Sequence, residues 1–229
     1  MDFNIRNFWI LDIGGVEVWI TETMVVTWGI MLLLTAFALF VKIKLNSFKD
    51  VPTGLQNVVE LVIEKFEGFV RANAGERLMF LGNWYFMVFV FILVSNMSAM
   101  FGFRPPTADW SMTFAFALVT FVLIQVMGLR FQKGRYIKGL FEPFFIFFPM
   151  NVIGELARPI SLSFRLFGNI LAGMILMGVV YNIAPFFLRF VFPAALHGYF
   201  DFIIAILQTY IFCVLSLAFI SNAAGLNNE

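Results

Sequence analysis

Five long apolar runs divide this chain, and they constrain its fold more than any other feature. They cover about Met24–Val41, Phe80–Phe101, Met112–Phe131, Val152–Tyr181 and Pro193–Ala223. A helix rises about 1.5 Å per residue, so about 20 apolar residues cross the hydrocarbon core of a bilayer. The first three runs fit one crossing each. The last two exceed that length, so their helices are expected to be long and tilted or partly peripheral. A chain that is 61% hydrophobic with 32 Phe and 13% charged residues has no soluble shell to hide such runs. The expected fold is an all-α integral membrane protein, one membrane domain over residues 1–229 with five crossings.

The segments between the runs complete that plan. Residues 1–23 carry Asp2, Asp12, Glu17 and Glu22 against Arg6 alone, which is no secretory signal. Val16, Val18 and Ile20 alternate weakly there, so a short extended or interfacial external segment is expected. In 55–71 the residues Leu55, Val58, Val59, Val62, Ile63, Phe66, Phe69 and Val70 follow helical spacing, and Gln56, Glu60, Glu64, Lys65 and Glu67 take the other side. That pattern predicts an amphipathic helix, lying on the membrane surface or packed on a partner subunit. The loops 42–77 and 130–138 hold Lys42, Lys44, Lys49, Lys65, Arg71, Arg77 and Arg130, Lys133, Arg135, Lys138; the other flanks carry Arg6, Arg104 and Arg189. The positive-inside rule then puts the N-terminus outside and, after five crossings, the C-terminus inside.

Several function classes drop out. A net charge of +1 with no basic tail gives no footprint for nucleic acid. The single cysteine, Cys213, makes no internal disulfide and no cysteine metal cluster, and one histidine does not ligate a haem from both sides. No phosphate loop of the Gly-x-x-x-x-Gly-Lys type is present. No cofactor or metal is expected.

Charges inside the apolar runs carry the functional signal. Arg165 sits in the middle of the fourth run, where a central arginine costs about 2.5–3.5 kcal/mol on insertion scales. Glu155 lies almost three turns back, so the arginine needs a partner on another helix or another chain. Ser161, Arg165, Gly168, Asn169, Ala172 and Gly173 fall along one stripe, and small residues there let another backbone approach. In the last run His197, Asp201, Gln208 and Asn222 share a helical face. The two helices run antiparallel. Setting Arg165 level with Gln208 brings Asn169 level with about Ile204 and Met174 level with about Tyr199. Asp201 and His197 then lie toward the outside, and Glu155 toward the inside near Asn222. Two polar routes that meet a fixed charge at mid-membrane suit ion transfer without a continuous pore. A secondary transporter or a structural subunit of a respiratory complex are the other readings. The first calls for repeated halves and interrupted helices, neither of which is visible.

These residues also carry a family likeness. Ser161-Leu-Ser-Phe-Arg-Leu-Phe-Gly-Asn-Ile-Leu-Ala-Gly173 closely resembles the arginine-helix signature of subunit a of the F-type ATP synthase of bacteria. Tyr199-Phe-Asp-Phe-Ile-Ile-Ala-Ile-Leu-Gln-Thr-Tyr-Ile-Phe212 resembles its last helix, and Phe103-Arg-Pro-Pro-Thr-Ala-Asp-Trp-Ser-Met-Thr113 the loop before its third crossing. The resemblance implies a stator subunit of the bacterial inner (cell) membrane that conducts H+ or Na+ to a rotating ring of c subunits. Its other partners would be b-type peripheral stalk subunits and the remainder of the ATP synthase, which does the chemistry on ATP. It implies that Arg165 is the essential arginine and that Asn169 and Gln208 are its polar flanks. Asp201 would be the ionisable residue of the last helix, and Glu155 part of the acidic stretch before the arginine. Met174 departs from the pattern, standing where many members place Glu or His, and this makes His197 the candidate substitute.

Overall fold

The structure is a computed structural model that describes residues 7–13, 16–45, 48, 54–142, 144–183 and 194–226. The expectations that involve Arg6, Lys49, Arg189 and Pro193 lie outside the described residues. Five described helices are long and apolar enough to cross a membrane: Glu22–Leu45, Glu76–Phe101, Trp110–Gln132, Phe145–Asn182 and Ala194–Ala224. The chain is an all-α integral membrane protein in its spans.

A two-stranded antiparallel hairpin precedes them, β1 (Asn7–Ile13) and β2 (Val16–Thr21), with Ile10 opposite Trp19 and Asp12 opposite Glu17. The weak alternation read from the sequence therefore becomes a paired ribbon leading into α1 (Glu22–Leu45). Glu22 in the first turn of α1 and Lys42 and Lys44 in the last complement the helix dipole, which is why α1 runs past Val41. Its Leu32, Leu33 and Phe37 are exposed, as suits a helix facing lipid.

The helix α2 (Leu55–Ala74) ends at Gly75, whose φ of 77° is left-handed and suits a residue without Cβ. Its C-terminal half docks. Phe66 meets Phe86 and Phe89, Phe69 meets Tyr210, and Val70 is fully buried. Val58, Leu61 and Val62 of its N-terminal half stay exposed. α3 (Gly82–Met97) is flanked by 3-10 turns, Glu76–Leu81 and Ser98–Phe101. α4 (Trp110–Gln132) turns at Lys133 into the short α5 (Gly134–Gly139). The ring of Tyr136 lies so close over Gly128 that a Cβ there would come within 2.7 Å of it.

α6 (Phe148–Ile183) is 36 residues long and contains Pro159. The last span opens with a helical segment, 194–197, passes through a π-helical turn, Gly198–Ile204, and continues as α7 (Ala205–Ala224). α4 packs on both α6 and α7, and α3 packs on α7. The core between them holds Tyr85 and Ile92, Ala117 and Ile124, Leu162 and Leu166, and Phe212, Leu217 and Ile220. Two buried hydroxyls pair across it, Thr113 with Ser163 at 3.2 Å, and so satisfy each other in the apolar interior. This frame holds α6 against its neighbours by one face and leaves the other face of α6 open.

Candidate functional site

The polar residues of α6 and the last span form two separate groups. The first is built on the π turn. A π turn widens a helix and recurs at functional positions. Here it carries Asp201, whose side chain is 14% exposed. The carboxylate accepts a short hydrogen bond from Nδ1 of His197, one turn earlier. On its other side the imidazole Nε2 lies 3.1 Å from the hydroxyl of Tyr181, near the end of α6. Asp201 also borders a small pocket of about 30 Å³, whose wall includes Asn96, Asn169, Met174 and Gln208. That volume holds one or two water molecules.

Asn169 Nδ2 donates to Gln208 Oε1 at 2.5 Å. In the register drawn from the sequence, with Arg165 level with Gln208, Asn169 lies one turn from Gln208, and side-chain reach closes that gap. Each Cβ leans toward the N-terminus of its own helix, so in an antiparallel pair two side chains placed one turn apart lean toward each other. Where a side chain is missing a ring fills the space, as at Gly173, where a Cβ would come within 3.1 Å of the Phe200 ring. Gln208 is 3% exposed, and its Nε2 has no hydrogen-bond partner among the described residues. Asn96 joins the same wall from α3: it accepts from Thr107 Oγ1 at 2.6 Å and donates to Thr209 at 3.4 Å.

The second group lies toward the other end of α6. Glu155 pairs with Arg158 at 2.9 Å, and the Arg158 guanidinium stacks 5.5 Å over the Phe219 ring. Both border a cleft of about 430 Å³ together with Arg135, Tyr136, Asn151 and Asn222. Pro159 has no N–H, so the Glu155 carbonyl, four residues back, loses its helical donor. Asn151 closes the cleft's rim by donating to the carbonyls of Leu140 at 2.9 Å and Glu142 at 3.0 Å. Burial, and then the nearby Glu155 charge, push the Tyr136 hydroxyl above its ordinary pKa. Fourteen residues separate Glu155 from Asn169, about 21 Å along the helix axis. The structure thus brings Asp201, His197, Asn169 and Gln208 together, and it sets Glu155 apart with Asn222.

Arg165 belongs to neither group. It is exposed on α6 between them and has no ion pair or hydrogen bond among the described residues. Asn169 and Ala172 are exposed on the same side, so the small-residue stripe is largely uncovered. Three residues of these sites escape a reading of the sequence. Asn96 and Arg158 stand as lone polar residues in apolar runs, which is a visible signal. Tyr181 has none, because a tyrosine near the end of a membrane helix reads as an interfacial anchor.

Comparison with known proteins bears on the same residues. The family model of the ATP synthase A chain matches residues 24–221, a stretch that includes Arg165, the first polar group and all of the second but Asn222. Among similar proteins, ATP synthase subunit a of Moorella thermoacetica is 35% identical over 96% of this chain and 97% of its own length. ATP synthase subunit a 1 of Syntrophotalea carbinolica is 36% identical over 86% of this chain and 82% of its own. A sodium-ion-specific ATP synthase subunit a from Propionigenium modestum is 33% identical over 90% of this chain and 75% of its own. With helices long enough to span a membrane and a match over nearly its whole length, the chain belongs to the ATP synthase A chain family, that of subunit a.

Proposed function

We propose that this chain is the ion-translocating stator subunit of a rotary ATP synthase. It supplies two offset half-channels to and from the carboxylates of a c-subunit ring, kept apart by Arg165. The observation that carries this reading is Arg165 itself: a permanent charge, exposed and unpaired among the described residues, on an open face of a membrane helix between two polar groups. Such a charge calls for a partner outside the chain. A membrane-buried carboxylate on a ring that packs against the small-residue stripe fits it in both charge and shape.

The route works as follows. An ion arrives from outside along His197, Asp201 and Asn169 and neutralises a ring carboxylate. The neutral site then turns into lipid, where a bare carboxylate would cost several kcal/mol. After nearly a full turn the site reaches the cleft bordered by Glu155 and Asn222 and releases its ion inside. Arg165 attracts the emptied carboxylate and bars direct passage between the two routes. Its guanidinium stays charged at any working pH, so it carries no proton itself. H+ and Na+ are both candidate ions, and the sodium-specific relative is the reason Na+ is kept beside H+. The basic loops support an external N-terminus and a cytoplasmic C-terminus in a bacterial cell membrane, with b-type stalk subunits alongside.

The test is access. In a Cys213→Ser background, cysteines at 197 and 201 are expected to react with a polar thiol reagent added outside, and a cysteine at 155 with reagent added inside. Phe37→Cys, on the exposed apolar face of α1, should resist both. Labelling of 155 and 201 from one side only would overturn the two-route reading. So would purification of the chain without a c-ring and the soluble ATPase subunits.

A further inference from the structure

The tyrosine at the end of α6 has a place in the outer group. Asp201 in its ionised form only accepts hydrogen bonds, so the short contact to His197 is donated by Nδ1–H. In the neutral ring the other nitrogen, Nε2, is then an acceptor, and the Tyr181 hydroxyl 3.1 Å away is its donor. If the ring takes up a proton, Nε2–H becomes a donor and the same hydroxyl turns to accept. A hydroxyl serves both states without moving the ring. The tyrosine and imidazole rings lie 6.2 Å apart at 52°, so they meet through the hydroxyl rather than by stacking.

We propose that Tyr181 is a positioning residue: its hydroxyl fixes the His197 ring with Nδ1 toward Asp201, completing a three-residue chain, Tyr181–His197–Asp201, at the outer mouth. The inference rests on the outer-route reading above and adds to it the residue that orients its imidazole. In proton transfer the balance is simple. A hydronium ion gives its proton to the other oxygen of the Asp201 carboxylate and leaves as water, while His197 keeps its Nδ1–H toward Asp201. The neutral carboxyl then hands it on into the pocket shared with Asn169 and Gln208. The neighbouring elements bring few other titratable groups. The π turn itself carries Tyr199, α3 carries Tyr85, and α7 carries Tyr210 and Cys213. On α6 the charged residues Glu155, Arg158 and Arg165 all lie at least four turns before Tyr181.

His197 is the only histidine of the chain, which makes it a clean probe. The chain is labelled with 15N-histidine and assembled into the complete ATP synthase with unlabelled partner subunits. Nitrogen chemical shifts then report which ring nitrogen holds the proton. The expected result is the Nδ1–H tautomer in the wild type and a mixture of tautomers in Tyr181→Phe. In vesicles, Tyr181→Phe is expected to lower ATP-driven ion pumping several-fold in an otherwise wild-type chain and to add no loss to His197→Ala. An unchanged tautomer in Tyr181→Phe would overturn the proposal, and so would losses that simply add. Normal pumping by Asp201→Asn would instead bring down the outer-route reading, while the nitrogen shifts would still decide the role of Tyr181.

Discussion

Arg165→Ala is expected to abolish ion-driven ATP synthesis in inverted membrane vesicles while the assembled complex stays in the membrane. The expectation follows from the position of the side chain, exposed and without an ion pair among the described residues, on the open face of α6. Removing it costs no ion pair or hydrogen bond among the described residues, so folding and assembly have little reason to suffer. What disappears is the charge that a ring carboxylate would meet, and with it the barrier between the two polar groups. A passive ion leak through vesicles carrying the variant is the second expected sign. Synthesis near the wild-type rate would remove Arg165 from the mechanism. Arg165→Lys separates charge from shape. An ammonium keeps the charge but lacks the planar fork and holds its water more tightly, so coupling should still be badly impaired.

Asp201→Asn is expected to reduce coupled ion pumping severely, on the order of tenfold or more, the range in which positioned proton-transfer groups act. His197→Ala should cost less, because the carboxylate stays at the pocket without it. The informative variant is the double one, Asp201→Asn with Met174→Glu. Met174 and Asp201 border the same pocket of about 30 Å³ from opposite helices. A carboxylate at 174 would therefore open onto the same volume, and part of the lost pumping should return. Pumping by reconstituted vesicles, measured with H+ and with Na+ separately, decides it. Full activity in Asp201→Asn would take that residue out of the pathway. Failure of the rescue alone would count against access from position 174.

The fold class was readable because hydropathy is a property of single residues summed over a window, and five such windows stand clear of their flanks. Helix ends were less readable. α1 continues through Lys42 and Lys44, since long basic side chains at a helix end reach back to the interface and suit the dipole. The hairpin of β1 and β2 left only a faint alternation, because one pair of strands exposed to solvent needs no strong apolar face. For the candidate site, helical periodicity put His197 beside Asp201, a contact within one helix. It did not find Asn96, whose partners Thr107 and Thr209 come from a loop and from α7. Nor did it find the pairing of Glu155 with Arg158, although three residues on one helix is a spacing at which side chains meet. The signal was there, and the larger anomaly at Arg165 drew the reading away from it.

The π turn at Gly198–Ile204 has a consequence of its own. Such a turn is how a helix absorbs a residue more than regular α geometry holds, so it keeps the 194–197 segment in phase with α7. Deleting one residue of the turn would let it relax to α geometry and keep His197 near its present face, whereas adding one residue would swing it by about 100° about the helix axis, away from Tyr181. Exchanging one apolar residue of the turn for another would leave the angle as it is. In this stretch the length of the chain, more than the identity of each side chain, sets which way His197 points.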